Sequence, residues 1–468
     1  MNNYQPVIGL EIHVELSTVS KMFCSCPADW FGKEPNTLTC PVCLGLPGAL
    51  PVANRQAIEW VVKLGLAMRC GINMVSKFDR KHYFYPDLPK GFQISQYDVP
   101  FCHGGSYDLL DNKLEKLKTI NIKRIHMEED TGKLIHKNGK SYVDFNRCGV
   151  PLVEIVTEPD FENSTQVKQF LEELHTLVLY LNISDANMEE GSMRLEPNIS
   201  IRKVQGSTLH VPSKKNITLN AVHGMWSDLP NYKVEVKNIN SFKFAVQAID
   251  YEIERQIEIL KRGDIPPQET RGFDPNIHRT VSQRTKEEAH DYRYFPEPDI
   301  PPITLENSYV EGVKADLPEL PQQKLRRYIK TYKLRYQDAT ILISDSKLFN
   351  FFEQVSGHLI TGHKTEELKD ENMYSMVANL IINKKISIDQ PIDSFVAEAV
   401  KKLKPVETDE EELVRAIDWV INENANAVLN YKQGNINSIM FLVGQVMQKM
   451  KGKADAQLVR SKLEEALS

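Results

Sequence analysis

The stretch "VIGLEIHVEL" (residues 7–16) constrains the fold more than any other in the chain. In a strand, successive side chains point to opposite faces. Ile8, Leu10, Ile12, Val14 and Leu16 then share one face, and Gly9, Glu11, His13 and Glu15 share the other. Strict alternation of this kind predicts a strand with one face in a core and the other wet. "RLEPNISIR" (194–202) repeats the pattern, with Leu195, Pro197, Ile199 and Ile201 set against Arg194, Glu196, Asn198, Ser200 and Arg202. Two segments follow the helical period instead. Over 165–181, with Ser164 as N-cap, Val167, Phe170, Leu171, Leu174, Val178 and Leu181 form a stripe. Over 242–262, Phe242, Val246, Ile249, Ile253, Ile257 and Leu260 form another, and Gly263 supplies the stop. Strands among scattered helices predict an α+β class with a largely antiparallel, β-rich sheet. The segment 204–233 has few periodic signals and reads as a long loop or loose hairpin.

"YFPEPDIPP" (294–302) is the strongest punctuation, because proline stops regular elements. It divides a β-rich domain, 1–295, from a helical domain, 296–405. "KLKPVETDEEEL" (402–413) makes a second break, where Thr408 and Glu411 match a capping box. A small helical tail, 406–468, follows it, and a chain of 468 residues accommodates three domains. Hydrophobic content of 41% with 26% charged residues describes a folded, soluble chain. No apolar run approaches the roughly 18–20 residues that span a bilayer. The start lacks a basic segment followed by an apolar core, so no signal peptide is expected and the cytoplasm is the expected compartment.

Four short constellations could carry chemistry. Cys24 and Cys26 precede Cys40 and Cys43, with 13 residues between the pairs. Seven cysteines in a chain without an export signal are too few for a disulfide scaffold, and two close pairs predict a Cys₄ zinc site. Four thiolates leave no open position, so such a site is structural. An acidic group follows: "HMEED" (126–130), Glu154 beside Leu152 and Val156, and Glu189, Glu190 and Glu196. Glu129 follows Ile125 and Met127, so it and Glu154 both read as carboxylates on apolar faces. Such a group needs a partner, a proton or a metal. Hard oxygen donors with an imidazole suit Mg²⁺. The third constellation, "KFDRKHYFYPDLPKGFQISQ" (77–96), adds Lys77, Arg80 and Lys81, which suit phosphate. No P-loop is present. Net charge is −6, which excludes a generally cationic surface but not a local one. "KLRRYIKTYKLRY" (324–336), the fourth, is locally basic and spaces Tyr328, Tyr332 and Tyr336 four apart. Those tyrosines predict a core stripe with a solvated basic rim, or an RNA-backbone contact. Lys449, Lys451, Lys453, Arg460 and Lys462 repeat the basic theme in the tail.

Taken together, "VIGLEIHVEL", "SKFDRKHYFYPDLPKGFQISQ", "RIHMEEDTGK", "VPLVEIVTEPD", "MEEGSMRLEPNISIR", "VKNINSF", "DYRYFPEPDI" and "FLVGQVMQKMKGKADAQLV" resemble one family along the whole chain. It is the family of B subunits of the bacterial aspartyl/glutamyl-tRNA amidotransferases. The resemblance implies a heterotrimer with an amidase A subunit and a small C subunit. It implies binding of misacylated Glu-tRNA(Gln) or Asp-tRNA(Asn). It implies use of ATP and Mg²⁺ to phosphorylate the side-chain carboxylate, which ammonia from the A subunit then amidates. A β-rich cradle, a helical domain and a tRNA-binding tail are the implied architecture. Carried over residue by residue, it places the metal on His13, Glu129 and Glu154, with Glu11 beside them. It places Lys81 and Arg80 at the phosphates and Arg194 and Glu196 on the substrate side. Glu15 keeps its reading as a solvated residue. Glu196 stands where the family usually carries Asp, and the segment before "VKNINSF" is longer than usual. The four cysteines occur in some members only, as fits structural zinc. Two other readings remain: a tRNA-holding scaffold whose kinase site has decayed, and a metal-dependent hydrolase built on Glu11 and His13.

Overall fold

A computed structural model describes residues 3–204, 229–285, 292–361, 373–403, 409–435, 437–450, 454 and 456–467. Contacts divide the chain into two compact units, Met1–Phe349 and Asn350–Ser468.

The first unit is built on a nine-stranded sheet. Its strands are β1 (Tyr4–Glu15), β2 (Gly71–Ile72), β3 (Cys102–Leu110), β4 (Lys116–Glu129), β5 (Pro151–Thr157), β6 (Met193–Lys203), β7 (Val234–Lys237), β8 (Glu269–Asp274) and β9 (Arg279–Thr285). Across the sheet they run β9-β8-β7-β6-β1-β5-β4-β3-β2. Every pair is antiparallel except β7 with β8. The α+β class and the largely antiparallel sheet are as the periodicity predicts.

The opening strand is the centre of this sheet, flanked by β5 and β6. Its apolar set Ile8, Leu10, Ile12, Val14 and Leu16 is buried in one core. Helices α1 (Arg55–Ala67), α2 (Ser164–Tyr180) and α3 (Phe242–Lys261) contribute to that core. α1 packs on β3 and β4, α2 on β3, and α3 on β6. Asn163 rather than Ser164 caps α2, its side chain accepting from Gln166 N–H, so the helix starts one residue earlier than its stripe implies. Gly263 ends α3 as expected, at φ +92°, where a Cβ would be strained.

The proline-rich punctuation is no linker. Phe295–Pro296 forms an edge strand on Asp79–His82, which in turn pairs with Phe92–Ser95. Ile303–Thr304 pairs with Val75–Ser76. An edge position tolerates a proline that has no N–H to give. α4 (Asn307–Ala315) then buries Val310 and Val313 in the main core. The compact unit therefore runs on past the expected boundary at 295, through α5 (Pro321–Lys330) and α6 (Tyr336–Ser344). A turn with Lys333 at φ +53° separates those two helices, so the tyrosines of 324–336 do not form one stripe. Tyr328 is fully buried, as a core residue.

The division between units falls within α7 (Ser346–Thr361). α8 (Met373–Ile382) and α9 (Ile392–Leu403) follow in the second unit. α10 (Glu410–Glu423), α11 (Ala425–Lys432), α12 (Ser438–Lys449) and α13 (Ala456–Leu467) form the tail bundle. Leu413, Ile417, Val420, Leu442, Val446 and Leu463 lie in its separate core. Asp409 caps α10 through Glu411 and Glu412 N–H. Thr408, most of 204–233, Lys451 and Lys453 lie outside the described residues. Among the described residues, no helix is long and apolar enough to cross a membrane.

Candidate active site

With helices on the apolar face, the polar face of the central strands carries the charged cluster. Antiparallel register places side chains of neighbouring strands in rows. One row reads Arg194 on β6, His13 on β1, Glu154 on β5 and His126 on β4. Two residues along β4, Glu128 joins it from the row of Glu15. His13 Nε2 lies 3.5 Å from Glu128 Oε1 and 3.6 Å from Glu154 Oε2. His126 Nε2 lies 3.1 Å from the same Glu154 oxygen. Ligating atoms of His13, Glu128 and Glu154 all fall within 4.8 Å of one another.

The two carboxylates and the ring of this triad set one another's charge. Burial opposes charge on His13, yet the two carboxylates outweigh it and raise its pKa to about 10. Burial likewise opposes charge on Glu154, but His126 and His13 hold its carboxyl well below the usual range. Lys81 extends the charge balance. Burial would lower its pKa, but Glu128 and Glu154, among nearby groups, push it up. Its ammonium is therefore near enough to feel both carboxylates.

Glu129 does not belong to this group. Its face assignment with Ile125 and Met127 holds, but that face is the opposite one. There Glu129 pairs with Lys90 and accepts from Ile94 N–H at 2.9 Å. Glu128 occupies the place expected of Glu129. Arg80 also turns away from Lys81, its chain neighbour. It forms a fork on Glu297 at 2.7 and 2.8 Å, reaches Asp299 at 3.3 Å and covers Phe92. Glu15 is not solvated: it is 7% exposed and accepts from Trp30 Nε1 at 2.9 Å. Burial, then Asp130, pushes its pKa up to about 8. Asp130 in turn accepts from Arg194 at 2.7 Å.

Glu11 and Glu196 face each other across β1 and β6. Glu11 accepts from Asn198 Nδ2 at 3.0 Å, and Glu196 pairs with Lys237 at 3.0 Å. His126, Glu128 and Asp130 belong to the acidic constellation read from the sequence, which gives them no role, and the sequence pattern does not single out Lys237. In "HMEED", alternation sets His126, Glu128 and Asp130 on the face opposite Glu129, and the cross-strand register shows that this is the face of His13 and Glu154.

The cysteine quartet comes together as its spacing predicts, with all four sulfurs within 4.8 Å of one another. A tetrahedron with zinc–sulfur bonds of about 2.3 Å has edges of about 3.8 Å, and Cys40 and Cys43 sulfurs lie 3.9 Å apart. Cys40 N–H donates to Cys43 Sγ at 3.1 Å, the knuckle contact. A Cys24 hydrogen bond and nearby Lys21 bring Cys43 down to about 5 against the cost of burial. The donor set is thus a Cys₄ cluster able to hold a structural metal. Gly45 closes the knuckle at φ +65°, and a Cβ there would sit 2.2 Å from Lys90 Cγ. The cluster therefore supports the Lys90 that holds Glu129.

Residues 6–311 match the family described as GatB/GatE catalytic domain, and residues 343–467 match the GatB domain. The B subunit of the aspartyl/glutamyl-tRNA(Asn/Gln) amidotransferase of Caldicellulosiruptor saccharolyticus is 44% identical over 99% of either chain. Its namesake from Persephonella marina is 42% identical over 99% of either chain. That from Thermotoga petrophila is 41% identical over 99% of either chain.

Proposed function

The chain belongs to the B-subunit family of tRNA-dependent amidotransferases, and on that premise we propose that its polar sheet face activates the side-chain carboxylate of a tRNA-bound glutamate or aspartate. A carboxylate resists attack by ammonia because oxide is a hopeless leaving group. Transfer of the γ-phosphoryl of ATP to a carboxylate oxygen, with ADP leaving, creates a good one. Ammonia then adds to the carbonyl, and phosphate departs as hydrogen phosphate, taking the proton that the nitrogen loses as the amide forms. Phosphoryl transfer needs positioning and charge neutralisation more than a protein nucleophile.

The observation that carries this reading is the row Arg194–His13–Glu154–His126, with Glu128 and Lys81 beside it. His13, Glu128 and Glu154 would hold Mg²⁺, since their ligating atoms all fall within 4.8 Å of one another. Bound there, Mg²⁺ supplies charge neutralisation at the phosphates. Lys81 would neutralise phosphate oxygens, and Arg194 would orient the acyl carboxylate. Asp130 and Glu15 hold the Arg194 guanidinium in place. Glu11 lies on the same face and would complete the surroundings of the metal. Glu196 keeps a paired carboxylate despite its extra methylene, which speaks against the decayed-site reading. An amidase A subunit and a small C subunit would complete the enzyme, and the exposed basic residues Lys330, Lys333 and Arg335, with those of the tail, would contact tRNA. The Cys₄ cluster would hold one zinc per chain, measurable by metal analysis of the purified protein.

The decisive experiment is amidation of Glu-tRNA(Gln) and Asp-tRNA(Asn) by the complex reconstituted with its partner subunits. Product should form only with ATP, and His13→Ala should abolish it while tRNA binding persists. Turnover without ATP, or by this chain alone, would favour the hydrolase reading.

A further inference from the structure

Beside Lys81 stands a group of tyrosines that metal and phosphate handling leave unused. Lys81 Nζ lies 5.8 Å from the Tyr83 ring and 5.2 Å from the Tyr292 ring. Tyr294 meets Tyr292 edge-on, with centroids 6.2 Å apart. Tyr97 then stacks on Tyr294, centroids 4.3 Å apart and planes 14° from parallel. The cluster thus leads outward from the charged site, and its last ring, Tyr97, is 55% exposed.

An exposed ring is usually a mobile one, but the backbone here is pinned. Tyr97 N–H donates to Asp79 Oδ2 at 3.0 Å. Lys77 bridges Asp79 and Asp98, each at 2.8 Å. Gln96 donates to Ser76 Oγ at 2.6 Å and accepts from Met127 N–H at 3.1 Å. A ring held in place, backed on one side by Tyr294, offers its other side at little entropic cost. Flat ligands with a π-face stack on such platforms.

We propose that Tyr97, backed by Tyr294, is a stacking shelf for an adenine ring. The inference rests on the reading of the preceding subsection, because both substrates named there present adenine. ATP carries it beyond the phosphates, and tRNA carries it on the terminal ribose that bears the amino acid. The phosphates or the acyl group would lie toward Lys81 and the triad, and the base would lie toward Tyr97. Tyr97 is on this account a positioning residue.

In the complex with the amidase and small subunits, Tyr97→Leu should raise the KM of one adenine-bearing substrate about tenfold. The kcat at saturation should change by less than about threefold, the pattern of lost binding and not lost chemistry. Tyr97→Phe, which keeps the ring, should restore KM. A rise confined to ATP assigns the shelf to the nucleotide, and one confined to misacylated tRNA assigns it to the terminal adenosine. Unchanged KM for both overturns the proposal. So does a Tyr97→Phe variant as impaired as Tyr97→Leu, or a rise in both KM values with a collapse of kcat. A second readout uses the unsubstituted complex and does not depend on how the variants fold. 2-Aminopurine in place of adenine, in the triphosphate or at the tRNA 3′ end, should lose fluorescence on binding as it stacks. Quenching of either probe supports the shelf; two bound but unquenched probes refute it. If the unsubstituted complex amidates with ATP while these tests fail, the shelf alone falls. A complex that makes no use of ATP overturns the preceding reading instead.

Discussion

The two faces of the central sheet meet at one peptide bond, between Glu128 and Glu129. Both side chains are buried, and both find a cationic partner. Glu128 shares its cation site with a second carboxylate, Glu154, and the two hold His13 between them. Glu129 has its own ammonium, Lys90, and a backbone N–H as well. The first arrangement gathers two carboxylates, the His13 and His126 rings and the nearby Lys81, with the ligating atoms of His13, Glu128 and Glu154 within 4.8 Å of one another, a spacing that a divalent cation could share. The second is already neutral and complete, so it gains nothing from one. Burial and charge do not distinguish the two carboxylates; the convergence of several ligating atoms on one point does.

Substitution at Glu128 should break the polar face most sharply. Glu128→Ala removes a proposed metal donor and a charge partner of Lys81, and amidation should fall about a thousandfold. The melting temperature should stay close to that of the unsubstituted protein, because His13 retains Glu154. A fall of less than about tenfold would move Glu128 out of the site. Glu129→Ala should act on the fold instead. It leaves the Lys90 ammonium buried without its partner, which costs about 3 kcal/mol, read as a shift of the denaturant midpoint of the cradle transition. A midpoint unchanged by that substitution would erase the contrast between the neighbours.

Much of this arrangement is legible in the chain, but unevenly. The strands of 7–16 and 194–202 and the two helices announce themselves because each has one wet side. The cysteines are close in sequence, and a metal site that local is read from spacing. Glu154 is harder, because β5 is buried on both sides and has no alternation to read. Its same-face neighbours Leu152 and Val156 are apolar although they lie on the polar side of the sheet. Glu129 follows Ile125 and Met127, which are apolar because they face the core. The same local signature thus arises on opposite faces, and only the pairing of β5 with β4 and β1 separates them. Glu15 defeats pattern reading for a similar reason: Trp30, from the cysteine-bearing loop, covers it. The proline-rich segment misleads because an edge strand needs few N–H donors.

The smallest effect expected on the polar face is at its edge. Glu196 pairs with Lys237, whose ammonium is also held by Glu235 at 3.1 Å. Glu196→Asp retracts the carboxylate by about 1.5 Å, the length of one carbon–carbon bond. Lys237 would keep Glu235, and its partial exposure screens the loss. Amidation by the reconstituted complex should therefore change by less than about threefold. A larger fall would mean that the longer reach of glutamate is used directly, and Glu196 would join Glu128 among residues whose position is set by chemistry. A rise in rate would place the constraint elsewhere, in a shorter carboxylate that this chain has lost. Either departure would extend the functional part of the polar face from the His13 row to the row of Glu11, where Glu196 lies directly across β1.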